Sequence, residues 1–329
     1  MKQSLGVNMP TDLPVKWKVL STMDISHCPQ AFDLLKEQTD FTYMTADQEK
    51  LKEVINDYDI YISTLGVRVT KEMLDRQGRL KVIATPSTGT DHIDCAAAEA
   101  NGITVLSLKK ETKFLDRITA TAELTWGLLL SVVRNIPTAF EAAKQGRWAR
   151  DEFRGRQLSG KTLGILGYGR LGRIVADYGQ AFRMKVLVND VKSINSSPGI
   201  EVVDLDTLLK ESDVLSIHIH LTDENKQFIN ATAFQKMKKS AVLINTSRGG
   251  IVDEQALIEA LSSGQLAGAG VDVIDGEWDT DLANHPMIRY AKDHNNLIIT
   301  PHIGGVAHEA QSMVFEFLAE KIMEHITKS

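Results

Sequence analysis

The sequence predicts an α/β protein made of two doubly wound parallel-sheet units. Three observations predict it. Short β-branched runs alternate with longer helical patterns from end to end. The alternation is interrupted once, by a long apolar helical pattern over 116–137, and then starts again. A chain of 329 residues also exceeds what one small core uses, which suggests two domains.

In the first series, strands are expected at 18–21, 60–63, 81–85 and 104–107. Amphipathic helices such as 29–37 and 91–100 lie between them, the latter stopped by Asn101-Gly102. The segment 116–137, DRITATAELTWGLLLSVVRNIP, is apolar on every side and has a proline at its end. A helix of that character must be buried, between domains or between subunits. The second series places strands at 162–166, 185–189, 213–218, 241–245, 269–273 and 297–300. No repeat of fixed period and no low-complexity segment interrupts either series.

Composition narrows the function classes. Hydrophobic content of 43% and charged content of 24% are ordinary for a globular protein in water. A net charge of −6 gives no electrostatic footprint for nucleic acid or an anionic membrane. The N-terminus lacks the apolar core of a secretory signal. The longest apolar stretch, 124–133, is about half of what a bilayer span needs. Two cysteines, Cys28 and Cys95, form no disulfide framework and read as reduced thiols in a cytoplasmic protein.

The second series opens with KTLGILGYGRLGRIVADYGQAFRMKVLVND, in which Gly167, Gly169 and Gly172 fit the G-x-G-x-x-G spacing. The glycines allow a tight turn, close backbone approach to a pyrophosphate, and close helix–strand packing. The helix that begins there offers N–H groups and a partial positive charge to phosphate. Alone, the spacing is weak evidence. Here an aliphatic strand precedes it, a helix follows, and Asp190 stands at the end of the next strand. That aspartate would accept hydrogen bonds from the adenine ribose and repel a 2′-phosphate, so NAD is favoured over NADP.

Ligands of open α/β sheets sit beyond the carboxyl ends of strands, and polar residues collect there. Arg248 follows the run VLINTS, Asp272 closes AGAGVDV with Glu277 shortly after, and His302 follows LIITP, ahead of Gly304 and Gly305. Arginine keeps its charge and offers a planar fork of donors to a carboxylate and a neighbouring carbonyl. Histidine carries a proton near neutral pH, and an adjacent carboxylate favours its protonated form. Beside a nicotinamide cofactor, this set can polarise a ketone and supply the proton that accompanies hydride transfer. Separately, each residue has a bland structural explanation as an ion-pair, turn or surface residue. Together, on a sheet carrying a dinucleotide fingerprint, they point to chemistry.

LSGKTLGILGYGRLG, LINTSRGGIVDEQALIEAL, GVDV followed by Glu277, and ITPHIGG resemble the D-isomer-specific 2-hydroxyacid dehydrogenase family. The resemblance runs in order over most of the chain and includes ATPSTGTDHIDCAAAEANGITV, similar to that family's substrate loop. It implies Arg248 as the substrate-binding arginine, Glu277 as the carboxylate partner and His302 as the acid/base. It implies that backbone N–H groups near Thr88 and Gly89 hold the substrate carboxylate. NAD contacts would come from Gly167, Gly169, Arg170, Leu171 and Gly172, from Asp190, from Thr246 and Ser247, and from Asp272 and Gly304. It further implies a Rossmann-type nucleotide domain over 109–304 and a flavodoxin-like substrate domain from 1–108 and 305–329. A homodimer built around the 116–137 helix and domain closure during turnover follow from the same likeness. The two glycines after Arg248 would leave room for substrate and cofactor.

Three departures qualify the resemblance. Trp278 stands where the family usually has proline, which reshapes the loop and offers an aromatic wall to the pocket. The segment after it, 279–296, is somewhat long. His220 replaces a common proline, and with His218 it lies on one face of a strand end, a metal-ligand spacing for which no third ligand is suggested; no metal is expected. On the loop STLGVRVT, Thr64 and Gly66 occupy the positions that carry basic residues in phosphoglycerate dehydrogenases, with Arg68 displaced. D-3-phosphoglycerate dehydrogenase and glyoxylate or hydroxypyruvate reductase are the named alternatives within the class, and 285–305 resembles variants associated with surface-glycan biosynthesis. From a different class, a non-catalytic NAD-sensing corepressor shares these motifs.

Overall fold

The computed structural model describes residues 16–195, 198–278 and 281–328. The expected lack of a signal segment concerns residues outside that set, as do residues 279 and 280 of the long segment after Trp278. The chain divides into two compact units. One runs to Leu115 and resumes at Gln311; the other is Asp116–Ala310. Among the described residues no helix is long and apolar enough to cross a membrane.

The first unit carries a five-stranded parallel sheet of β1 (Lys18–Ser21), β2 (Asp40–Tyr43), β3 (Ile60–Ile62), β4 (Val82–Ala84) and β5 (Thr104–Leu106), in the order β2-β1-β3-β4-β5. That is the flavodoxin-like order. Side chains alternate between the faces as strand geometry requires. Val19, Ile60, Ile62, Val82 and Ala84 pack with Phe315, Leu318 and Ile322 of the helix His308–Lys328. Leu20, Tyr61 and Ile83 face the other way, against Leu51, Met73 and Leu74.

The second unit carries seven parallel strands: β6 (Thr162–Leu166), β7 (Lys185–Asn189), β8 (Ile200–Val202), β9 (Val214–Ile217), β10 (Val242–Asn245), β11 (Gly268–Val271) and β12 (Leu297–Ile299). Their order is β12-β11-β10-β9-β6-β7-β8. The chain winds outward from β6 to β8, returns to β9 beside β6, and winds the other way, the Rossmann arrangement. Leu163, Ile165, Val186, Val188, Val242 and Ile244 share one core layer with Trp126 and Val175, and Leu187, Leu215, Leu243 and Val271 share the opposite layer with Phe234 and Leu257.

Two outer strands escape the expected pattern. β2 and β8 are the edges reached first as each sheet is wound, and both mix exposed with half-buried residues. The expected helix over 91–100 begins only at Cys95, capped by the Asp94 carboxylate on the Ala97 N–H. The 116–137 pattern is not one helix. A helix spans Ala120–Val133, Asn135 turns left-handed at φ 54°, and a second helix, Ile136–Lys144, starts with Pro137 near its N-terminus. Proline fits there because a first-turn N–H has no helical partner. Ala122, Trp126, Leu128, Leu129 and Val133 are buried in the unit's own core.

Candidate active site

Because all seven strands of the second unit are parallel, their carboxyl ends share one edge, and the expected residues follow those ends. Gly167, Gly169 and Gly172 follow β6, Asp190 follows β7, Thr246, Ser247 and Arg248 follow β10, Asp272 follows β11, and His302 and Gly304 follow β12. Thr88 and Gly89 belong to the first unit, on the loop after β4. Neither of their N–H groups donates to a protein acceptor among the described residues.

The turn after β6 needs glycine for a steric reason. Gly167 sits at φ 95°, and a Cβ there would stand 2.7 Å from the His218 carbonyl carbon and oxygen. Gly169 precedes the helix Arg170–Ala181 with no side chain capping it, and a Cβ at Gly169 would meet nothing within 4 Å. An uncapped helix N-terminus of this kind suits a pyrophosphate. The Leu171 side chain packs on the core. Arg170 donates to the Ile118 carbonyl at 2.6 Å, and burial holds its guanidinium below the usual range. Asp190 accepts the Tyr168 N–H with Oδ2 and the Lys192 N–H with Oδ1, both at 2.8 Å, which fixes the carboxylate beside the glycine turn. These residues fit a dinucleotide.

The turn that presents Arg248 is held by Asn245. Its amide donates to the Arg248 carbonyl at 2.9 Å, and its oxygen accepts the Ser247 N–H at 3.0 Å. Ser247 donates to the Ile217 carbonyl at 2.7 Å, and the Thr246 and Thr125 hydroxyls meet at 2.8 Å. Thr125 and Thr121 lie one turn apart on the helix Ala120–Val133, and Thr121 donates to the Gly304 carbonyl at 3.0 Å. Gly249 is required by close packing of the protein's own backbone. A Gly249 Cβ would lie 2.1 Å from the Ile274 carbonyl carbon and 2.2 Å from the Asp275 nitrogen. The space is filled by the backbone that leads to Glu277.

His302 Nδ1 lies 2.7 Å from Glu277 Oε1, with side-chain exposures of 16% and 17%. His302 holds a left-handed backbone at φ 54°, a conformation that persists in a non-glycine residue only where its surroundings impose it. Asp272 imposes it. One carboxylate oxygen accepts the Thr300 hydroxyl at 2.6 Å and the Ile303 N–H at 2.9 Å; the other accepts the Gly304 N–H at 2.7 Å. Burial pushes the Asp272 carboxyl above its ordinary value against those hydrogen bonds. Beside the pair lies a mainly apolar cavity of about 640 Å³ whose walls include Trp278, Leu282, Ile288, Lys292 and Pro301.

His218 lies directly after the end of β9. His218 Nε2 is 2.8 Å from the Ser216 hydroxyl, while Nδ1 is shielded from solvent without a partner, and burial lowers its pKa to about 4. Among the described residues, no group of three or more His, Cys, Asp or Glu side chains could hold a metal ion. Asn245, Thr121, Thr125 and Thr300 were not expected at the site. Their partners are backbone atoms or residues distant in sequence, and only the spacing of Thr121 and Thr125 on an apolar helix carries any signal.

Residues 126–304 match the family model for the D-isomer specific 2-hydroxyacid dehydrogenase, NAD binding domain. The chain is 35% identical to a hydroxypyruvate reductase of Thermotoga maritima, over 88% of this chain and 92% of that protein. It is 37% identical to a D-3-phosphoglycerate dehydrogenase of Methanocaldococcus jannaschii, over 84% of this chain but only 51% of that longer protein. Among solved structures, D-lactate dehydrogenase from Aquifex aeolicus, complexed with NAD and lactic acid, superposes with a TM-score of 0.81 at 29% identity. That match covers 94% of this chain and 95% of the other. The paired sheets, the glycine turn and these likenesses agree: the chain belongs to the D-isomer specific 2-hydroxyacid dehydrogenase family and is an NAD-dependent oxidoreductase.

Proposed function

We propose that the protein interconverts a small D-2-hydroxy acid and its 2-oxo acid, with His302 as acid/base, Glu277 as its partner and Arg248 as the substrate-binding residue. The carrying observation is the Glu277–His302 hydrogen bond of 2.7 Å on an imposed turn at the carboxyl edge of the sheet. With Nδ1 committed to Glu277, Nε2 is the atom left to give a proton to the C2 oxygen during reduction and to remove it during oxidation. Glu277 fixes the orientation of the ring through that hydrogen bond. Arg248 binds the substrate and stabilises charge on the carbonyl oxygen as it develops. A nicotinamide cofactor held by the residues named below would supply or accept the hydride at C2. Gly167, Gly169, Arg170, Leu171, Gly172, Asp190, Thr246, Ser247, Asp272 and Gly304 hold that cofactor in this reading, and the free N–H groups of Thr88 and Gly89 hold the substrate carboxylate.

In the same reading residues 109–304 are the nucleotide domain and residues 1–108 with 305–329 the substrate domain, close to the compact units that divide after Leu115 and after Ala310. Ile136, Phe140 and Trp148 are 48%, 60% and 86% exposed, apolar side chains at and just beyond the end of the 116–137 segment that support the homodimer proposed around it. A Trp148→Glu protein that stays at the wild-type size in solution would remove that surface from consideration.

The direct test follows NADH absorbance against glyoxylate, hydroxypyruvate, 3-phosphohydroxypyruvate, pyruvate and bulkier 2-oxo acids. One strong responder, with the D-isomer as product, is the expected result. Silence across the panel with NADH still binding would overturn the small 2-oxo acid as substrate.

A further inference from the structure

Glu277 reaches His302 from a loop, not from a helix or strand. A hydrogen bond of 2.7 Å tolerates displacement of a few tenths of an ångström, so something must hold that loop. Two residues before Glu277, the Asp275 backbone is gripped on both sides. Its N–H donates to Glu254 Oε1 at 2.8 Å, and its carbonyl lies 2.9 Å from His285 Nε2. Glu254 is the first residue of the helix Glu254–Ser262, and His285 precedes the helix Pro286–Asp293. His285 Nδ1 accepts the Met287 N–H at 3.3 Å, so the ring proton is on Nε2 and points at the Asp275 carbonyl. Glu254 Oε2 stands 3.5 Å from the same Nε2, and both side chains are only 15% exposed.

Burial makes this an unfavourable place for a carboxylate. Desolvation lifts Glu254 to about 6; the Asp275 N–H pulls it down, while the charges of Asp275 and Glu277 push it up. The arrangement is therefore better explained by what it holds than by stability alone. The Gly249 turn completes the seat, since its missing Cβ admits the Ile274–Asp275 peptide.

We propose that Glu254 and His285 are positioning residues for catalysis: a second glutamate–histidine pair that clamps the Asp275 peptide and thereby aims Glu277 at His302. The kinetic part rests on the proposed roles of Glu277 and His302; the structural part does not. In Glu254→Ala and His285→Ala, backbone amide exchange over residues 273–278 speeds by about tenfold or more, with the rest of the second unit unchanged. In the same variants kcat for 2-oxo acid reduction falls about 10–100-fold while the KM for NADH stays within about twofold. Glu254→Gln, which keeps an oxygen to accept the Asp275 N–H, recovers most of both. Thermal unfolding identifies a variant that has lost its fold, in which case His285→Ala and Glu254→Gln carry the comparison. Unchanged exchange over 273–278 in a folded alanine variant overturns the clamp. Faster exchange with unchanged kcat overturns its catalytic role. A wild-type protein silent on every 2-oxo acid would instead overturn the substrate reading, and the exchange comparison would still decide the clamp.

Discussion

Asp272 and Gly304 are joined across the carboxyl edge of the sheet by a carboxylate–amide hydrogen bond of 2.7 Å, and this bond closes the turn on which His302 sits. The same carboxylate takes the Thr300 hydroxyl and the Ile303 N–H, so one buried side chain satisfies three donors. Replacing it by alanine leaves those donors without an acceptor. Asp272→Ala is expected to lose about 3 kcal/mol of stability and most of its turnover, read by denaturant unfolding and steady-state kinetics. A variant of wild-type stability would show that the turn does not depend on Asp272.

His302→Ala is expected to lower kcat by about 10²–10⁴-fold while leaving NADH binding intact. Arg248→Ala should raise KM and lower kcat together, because its interactions tighten as charge develops on the carbonyl oxygen. Single-turnover kinetics separates these effects, and normal rates in either variant contradict the assigned roles.

Gly249→Ala tests close packing rather than chemistry. The added methyl would stand 2.1 Å from the Ile274 carbonyl carbon, where only backbone can yield. The expected destabilisation is about 3 kcal/mol, together with loss of the Glu277–His302 alignment. Gly250→Ala, whose Cβ would first meet the Leu221 side chain at 3.3 Å, should be milder. Equal behaviour of the two variants would refute the packing argument.

Asp190→Ala should relax the preference for NADH over NADPH by at least about tenfold, since a 2′-phosphate no longer meets a like charge. Its measure is the ratio of kcat/KM values for the two cofactors. An unchanged ratio would place the discrimination elsewhere.

His218 sets a pH dependence of stability. Burial lowers its folded pKa from 6.5 to about 4, so the folded chain keeps it neutral while the unfolded chain protonates it. Its contribution is complete above pH 6.5 and is lost as pH falls through about 4, amounting to about 3 kcal/mol. Urea unfolding across that window should fall less steeply with acid for His218→Asn. Parallel curves would contradict the assignment.

The central strands were legible because both of their faces are buried: β1, β6 and β7 are buried over most of their length, and their limits follow directly. The edges β2 and β8 were not, since DFTY and IEV mix exposed and half-buried residues with no hydrophobic period. The break at Asn135 was hidden because apolar residues continue across it and Pro137 suits a helix start as well as a helix stop. At the site, residue types announced Glu277 and His302, and the structure pairs them. Asn245, Glu254 and His285 stayed hidden because they act on backbone atoms, which leave no mark in a sequence.

The helix Ala120–Val133 works as a ruler. Thr125 touches Thr246 on the Arg248 turn, and Thr121 touches Gly304 on the His302 turn. One helical turn, about 5.4 Å of rise, thus sets the spacing between two loops that have no regular structure of their own. The walls of the neighbouring cavity at Trp278, Leu282 and Ile288 stand outside that measure. Substitutions there can reshape what the pocket accepts while the distance between its working ends stays constant.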